Sequence, residues 1–121
     1  MKIYHFGPEQ GRQVTAYDSH NLSLTGILHH SHNVRMACMR LGPEGLIGMH
    51  PASTHQLFLV IEGEGMVTGR EGLPYRIKPG FAAFWEQGEH HETRSQLGLT
   101  AFVVEGDLSD LKMKEVEWSN A

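Results

Sequence analysis

The apolar residues of this chain fall in short runs, each ended by glycine or a turn, and that rhythm builds strands. The runs are Val34 to Leu41, Leu57 to Ile61, Met66 to Thr68, Phe81 to Trp85 and Leu97 to Val104. Between them stand Gly42-Pro43, Gly63-Glu64-Gly65 and Gly69-Arg70-Glu71-Gly72, residue types that turn the backbone. Strand-length apolar runs separated in this way point to an all-β barrel or sandwich. The 121 residues suffice for one small domain, residues 1–121. Leu57 to Ile61 is apolar at every position rather than at alternate ones, which implies burial on both faces. One face can fill a barrel. The simplest cover for the other is a second copy of the chain, so a homodimer with packed sheets is expected.

The flanks are less regular. Lys2 to Phe6 and Val14 to Asp18 read as strands, and residues 108–118 form a polar tail in which Ser109 to Glu115 suits a short helix capped by Ser109. Cys38 stands alone inside an apolar run; with no partner for a disulfide it is expected as a buried small hydrophobe. No stretch is long and apolar enough to cross a bilayer, and Met1-Lys2-Ile3-Tyr4-His5 lacks a signal-peptide core, so a soluble, cytoplasmic protein is expected. A formal charge of −4 without a lysine or arginine cluster argues against a nucleic-acid surface.

Two segments say more. Met49-His50-Pro51 runs through His55-Gln56 to Glu62-Gly63-Glu64-Gly65, and Pro79-Gly80 runs through Gly88-Glu89-His90-His91-Glu92. At about residues 45–65 and 80–95, they resemble the two signature segments of a cupin. In the first, the residue seven before Gly63 is Gln56, where the family has glutamate. The two histidine positions fall on His50 and Ala52, and the opening glycine is Gly45, one residue late. In the second, Gly80, Gly88 and His91 fit, while Glu86 stands for the usual proline and Ser95 for the usual asparagine. The resemblance implies a double-stranded β-helix, that is, a jelly-roll barrel. It also implies histidines that meet around a metal, and makes exchange of an N-terminal strand between dimer partners an open alternative. No helix-turn-helix segment is appended, which removes the usual route by which a cupin regulates transcription.

The cofactor so implied is a divalent transition metal (Mn, Fe, Ni or Zn) held by His50, Gln56 and His91. A rigid barrel can aim imidazole nitrogen and amide oxygen from different strands at one point. Strand alternation points His55 and Gln56 to opposite faces. The spacing to Gly63 favours Gln56 as the inward residue, and a bulge near Thr54 would instead bring His55 to the metal. His90 beside His91 has the same ambiguity, and the spacing from Gly88 selects His91. The competing reading is that His50 and His91 are hydrogen-bonded interior histidines. His29-His30 with His32 also has metal-like spacing but reads as a polar turn.

Two histidines and a glutamine are neutral, so an ion there keeps its charge and favours anionic partners. The set lacks the carboxylate of a two-histidine, one-carboxylate iron triad, and Ala52 leaves a position open to water or substrate. Glu89 and Glu92 flank His91 and are candidates for a catalytic base or for an acceptor that orients its ring, against the plainer reading of a solvated turn. Phe58, Phe84, Trp85 and Phe102 are either pocket wall or ordinary core, and Met36, Met39, Met49 and Met66 suit adaptable packing near the mouth. The expectation is a metal-dependent enzyme acting on a small polar or anionic metabolite. The alternatives are a non-catalytic module that binds a small-molecule ligand with a degenerate metal site, and a structural scaffold.

Overall fold

Each apolar run of the sequence becomes a strand. A computed structural model describes residues 1–29 and 31–118. Its strands are β1 (Lys2–His5), β2 (Arg12–Gln13), β3 (Ser23–Leu24), β4 (Arg35–Leu41), β5 (Gly45–Pro51), β6 (Gln56–Gly63), β7 (Gly65–Thr68), β8 (Tyr75–Ile77), β9 (Phe81–Trp85), β10 (His90–Ser95), β11 (Leu99–Glu105) and β12 (Lys114–Val116). Six strands form one sheet in the order β12-β1-β9-β6-β11-β4, four form a second in the order β5-β10-β7-β8, and β2 pairs with β3.

The two larger sheets enclose one core. Ile3, Phe58, Val60, Ala83, Trp85, Ala101 and Val103 from the six-stranded sheet meet Val67 and Ile77 from the other. Alternation decides which side chains enter. On β11, Leu99, Ala101 and Val103 point in; on β10, His91, Thr93 and Ser95 are the buried positions. The wall is closed by ladders such as Leu57↔Phe84 and Val103↔Phe58, with a register shift at Thr100/Ala101 that leaves Ile61 as the extra residue of β6.

The outer face of the six-stranded sheet is covered by the chain itself. Tyr4, Leu57, Leu59, Ala82 and Val104 pack against Leu108 and Met113, with Ile27, Leu28 and Leu111 at the border. Leu28 and Leu111 form a β-bridge, and the Lys112 N–H donates to Ile27 O over 2.9 Å. The doubly apolar Leu57 to Ile61 run therefore finds most of its second cover within the same chain, where the sequence had suggested a second copy.

The tail differs from its expected short helix over 108–118. Lys114–Val116 is β12, antiparallel to β1 at Ile3↔Val116. Val116 and Trp118, two residues apart, both pack against the barrel core. That spacing belongs to an extended chain, since a helix would turn the two apart. Val14 to Asp18 also departs from its expected strand: β2 ends at Gln13, and Ala16–Asp18 is a 3-10 turn in which Tyr17 and Asp18 have φ of 60° and 59°. With Tyr17 fully exposed, no buried face holds this stretch extended. Cys38 is exposed rather than buried, because β4 is the last strand of its sheet and alternation turns Cys38 away from the interior reached by Met39. Among the described residues no helix is long and apolar enough to cross a membrane.

Candidate functional site

The β10–β5 ladder sets His91 directly opposite His50. Between that pair and Thr93↔Ile47 the register slips by one residue, so Gly48 and Met49 together face Glu92. A bulge at this point re-aims the following side chain, and here that side chain is His50. The two rings lie 4.4 Å apart between centroids with planes at 52°. Each ring is tied to the backbone two residues earlier: His50 Nδ1 is 2.6 Å from Gly48 O on β5, and His91 Nδ1 is 3.1 Å from Glu89 O in the turn before β10. A carbonyl oxygen only accepts, so both Nδ1 atoms carry a proton, and in the neutral form of either ring Nε2 is the nitrogen with the free lone pair. His91 is 2% exposed and stacks on Trp85 at 4.4 Å. Its burial pushes the imidazole below its ordinary value of 6.5, aided by His50, while the Glu89 carbonyl and the charges of Glu89 and Glu105 oppose the shift.

Across the barrel, four residues form one row over four strands. Trp85 on β9 pairs with Gln56 on β6, Gln56 with Glu105 on β11, and Glu105 with Arg35 on β4. Direct partners in an antiparallel ladder share a face, and Trp85 fixes that face as the inner one. Gln56 Nε2 donates to Glu105 Oε1 over 2.8 Å, and Arg35 Nη2 donates to Glu105 Oε2 over 2.8 Å. Arg35, Ala37, Met39, Val103 and Glu105 line a cavity of about 310 Å³. A cavity of about 470 Å³ lies elsewhere, among Leu46, Met66, Arg76, Arg94 and Leu97, and includes neither histidine. The first is lined by Glu105, the partner of Gln56, but it too includes neither histidine. Glu105 and Arg35 were not among the sequence candidates. The signal was present, since extending the inward alternation of Leu99, Ala101 and Val103 by two residues arrives at Glu105.

The family model described as Cupin domain matches residues 37–104, over half of the chain. The chain belongs to the cupin family. Solved structures of similar fold include a predicted oxalate decarboxylase from Thermotoga maritima, 26% identical over 60% of this cupin and 65% of that chain, with a TM-score of 0.55. The DMSP lyase DddQ from Ruegeria pomeroyi is 22% identical over 71% of this cupin and 43% of that chain, with a TM-score of 0.58. An RmlC-like cupin with a double-stranded β-helix fold from Methanocaldococcus jannaschii is 18% identical over 69% of this chain and 78% of its own, with a TM-score of 0.58. The cupin spans less than two thirds of the length of the first two. Among curated proteins none matches.

The remaining candidates of this cupin lie apart from the imidazole pair. His55 sits beside Phe84, ring centroids 5.8 Å apart, and its Nδ1 accepts the Gln87 N–H over 3.0 Å. Phe84 borders the outer cluster, so His55 and Gln56 occupy opposite faces. Ala52 is buried, its N–H donating to Glu89 O and its O accepting the Gly88 N–H. Gly88 makes that turn with φ of +85°, a conformation glycine adopts freely. The Glu89 carboxylate is turned to the Met1 ammonium at 2.9 Å and also accepts from the Arg70 and Glu86 backbone N–H groups and the Arg70 guanidinium. Burial alone would raise this carboxyl, but the hydrogen bonds outweigh it and hold it at about 2. Glu92 faces outward and binds Arg94 Nε at 2.7 Å. His90 and His32 are exposed, and His30 lies outside the described residues. Phe58 and Trp85 belong to the barrel core, Phe84 and Phe102 to the border of the outer cluster.

Among the described residues no three histidine, cysteine, aspartate or glutamate side chains gather closely enough to hold a metal ion. The neutral donors at this end of the barrel are the two Nε2 atoms and the Gln56 amide; the Glu105 carboxylate beside them accepts from Gln56 and Arg35. Neutral nitrogen and oxygen donors of this kind suit a borderline divalent ion with coordination positions left open.

Proposed function

We propose that this cupin is a mononuclear metal-dependent enzyme acting on a small polar or anionic metabolite. The observation that carries the reading is the paired anchoring of His50 and His91. Both Nδ1 atoms are engaged by backbone carbonyls, so the two facing rings offer only Nε2. Metal-binding histidines are oriented by such a bond from the other nitrogen. His50 and His91 would hold the ion, with the Gln56 carbonyl oxygen as third donor. Bound there, a divalent ion would act as a Lewis acid, polarising an oxygen of the substrate.

The chain's own residues supply the rest. Trp85, stacked on His91, excludes water from one side of the ring. Arg35, exposed at the cavity lined by Met39 and Val103 and paired with Glu105, places a cation beside that carboxylate, where it would favour an incoming anion. The likeness to a predicted oxalate decarboxylase supports a small carboxylate as the substrate class. Glu89 is saturated with donors and Glu92 is paired outward, so neither is assigned proton transfer here.

A second reading rests on the missing third histidine or carboxylate in the cluster: a non-catalytic cupin that binds a small molecule in the barrel. Elemental analysis by mass spectrometry separates the two, using untagged parent, His50→Ala and His91→Ala purified identically. About one equivalent of a transition metal in the parent, lost in both variants, supports the enzyme. A parent that stays metal-free after reloading with Mn, Fe, Ni and Zn would sink it and leave the binding module.

A further inference from the structure

We propose that Glu105 is a positioning residue that turns the Gln56 carbonyl oxygen toward the imidazoles of His50 and His91. The inference rests on the metal reading above and extends it to residues outside both signature segments. A glutamine amide has two nearly isosteric ends, and burial alone does not select between them. An ionised carboxylate does, because it only accepts. Gln56 must therefore give its NH2 group to Glu105, as it does over 2.8 Å, and its lone-pair oxygen is directed away from that carboxylate. Glu105 is itself held from the opposite side. Arg35 Nη2 occupies its other oxygen at 2.8 Å, from the next strand in the same ladder. The row Arg35, Glu105, Gln56 thus runs cation, anion, amide dipole, each aligned by its neighbour.

This arrangement supplies what the substitution of glutamine for the family's glutamate removes. A neutral amide is a weak donor, and a carboxylate hydrogen-bonded to its NH2 end draws electron density toward the oxygen. The negative charge is then retained one residue away from the metal position. It is also balanced by the exposed Arg35 guanidinium, which offsets the repulsion an anionic substrate would otherwise meet at Glu105.

Two measurements test this. In the metal-free parent, nuclear magnetic resonance should show the Gln56 Nε2 protons close to the Glu105 side chain and remote from the His91 ring. Contacts to the His91 ring would overturn the proposal, and this readout needs neither metal nor variant. Co²⁺ affinity is then measured by chelator competition in the parent, Glu105→Gln, Gln56→Ala and the double variant. Loss of the selecting carboxylate in Glu105→Gln should weaken Co²⁺ by about tenfold, the usual effect of removing a partner that orients a ligand. In the Gln56→Ala background the same change should have no further effect, since Glu105 acts through Gln56. Equal losses in both backgrounds would refute that route. A parent that binds no Co²⁺ would refute the metal reading and the purpose assigned to Glu105, while the resonance contacts still decide which way Gln56 points.

Discussion

Trp85 and His91 stack at 4.4 Å with ring planes only 29° from parallel, so the protonation state of one is legible in the emission of the other. Burial lowers the His91 imidazole below 6.5, with His50 acting in the same direction against Glu89 and Glu105. A protonated imidazole in contact quenches indole emission. In a Trp118→Phe background, which leaves Trp85 as the single tryptophan, fluorescence should fall as pH drops, with its midpoint below 6.5. The step should vanish in His91→Ala. A midpoint at or above 6.5 would show that burial does not govern this ring.

Stability should follow acid in two stages. His91 has a lower value in the folded chain than in the unfolded one, so the unfolded state takes up the proton first and stability begins to fall below about pH 6.5. Glu89 moves from 4.5 to about 2 on folding; its contribution is complete above pH 4.5 and is lost as pH falls toward 2. At ~1.4 kcal/mol per pH unit, the Glu89 network contributes about 3 kcal/mol. Urea unfolding of Glu89→Gln should show that loss already at pH 7 and a flatter profile between pH 4.5 and 2. An unchanged acid profile would mean that the contacts to Met1, Arg70 and Glu86 do not hold the carboxylate as described.

The barrel was legible because its signals are local, and the same segments put His50 and His91 on strands that pair. Short apolar runs gave β4, β6, β9 and β11, and the signature spacing selected His50, Gln56 and His91 as one group. The rest depends on contacts distant in sequence. Glu105 acquires its role from Gln56, forty-nine positions away, and Arg35 acquires its own from Glu105, seventy away. Glu89 looked available for proton transfer because it adjoins His91, yet its carboxylate is occupied by Met1, eighty-eight positions away. The doubly apolar Leu57 to Ile61 run points to a second copy as its outer cover, because Leu108, Leu111 and Met113 are scattered through a polar tail. They act together only once the Leu28↔Leu111 bridge lays the tail over the sheet.

That cover predicts a large effect from a residue in an otherwise polar segment. Leu108 is 3% exposed and packs in the outer cluster with Leu57 and Leu59. Leu108→Ala should destabilise the chain by about 2–5 kcal/mol, the range for truncating a buried leucine. Urea unfolding at pH 7 measures it. A change below about 0.5 kcal/mol, as at an ordinary surface site, would mean that the tail is not part of the core.

The same cover redirects the expectation of a homodimer from the sheet face to its edge. β4 ends the six-stranded sheet; on it Met36 is 65% exposed, Val34 just before it is 40% exposed, and the Cys38 thiol is exposed between Ala37 and Met39. An open edge strand with exposed apolar side chains invites pairing with another strand. If a second copy takes that place, Cys38 reports it. Its reaction with a thiol reagent should reach one equivalent per chain in dilute native protein and slow as concentration rises, in step with dimer formation seen by sedimentation. Met36→Lys should restore fast labelling at high concentration, since a charge there opposes burial of the edge. A labelling rate that is fast and independent of concentration, from a species that sediments as a monomer, would leave β4 as a solvated edge and remove the dimer from this cupin.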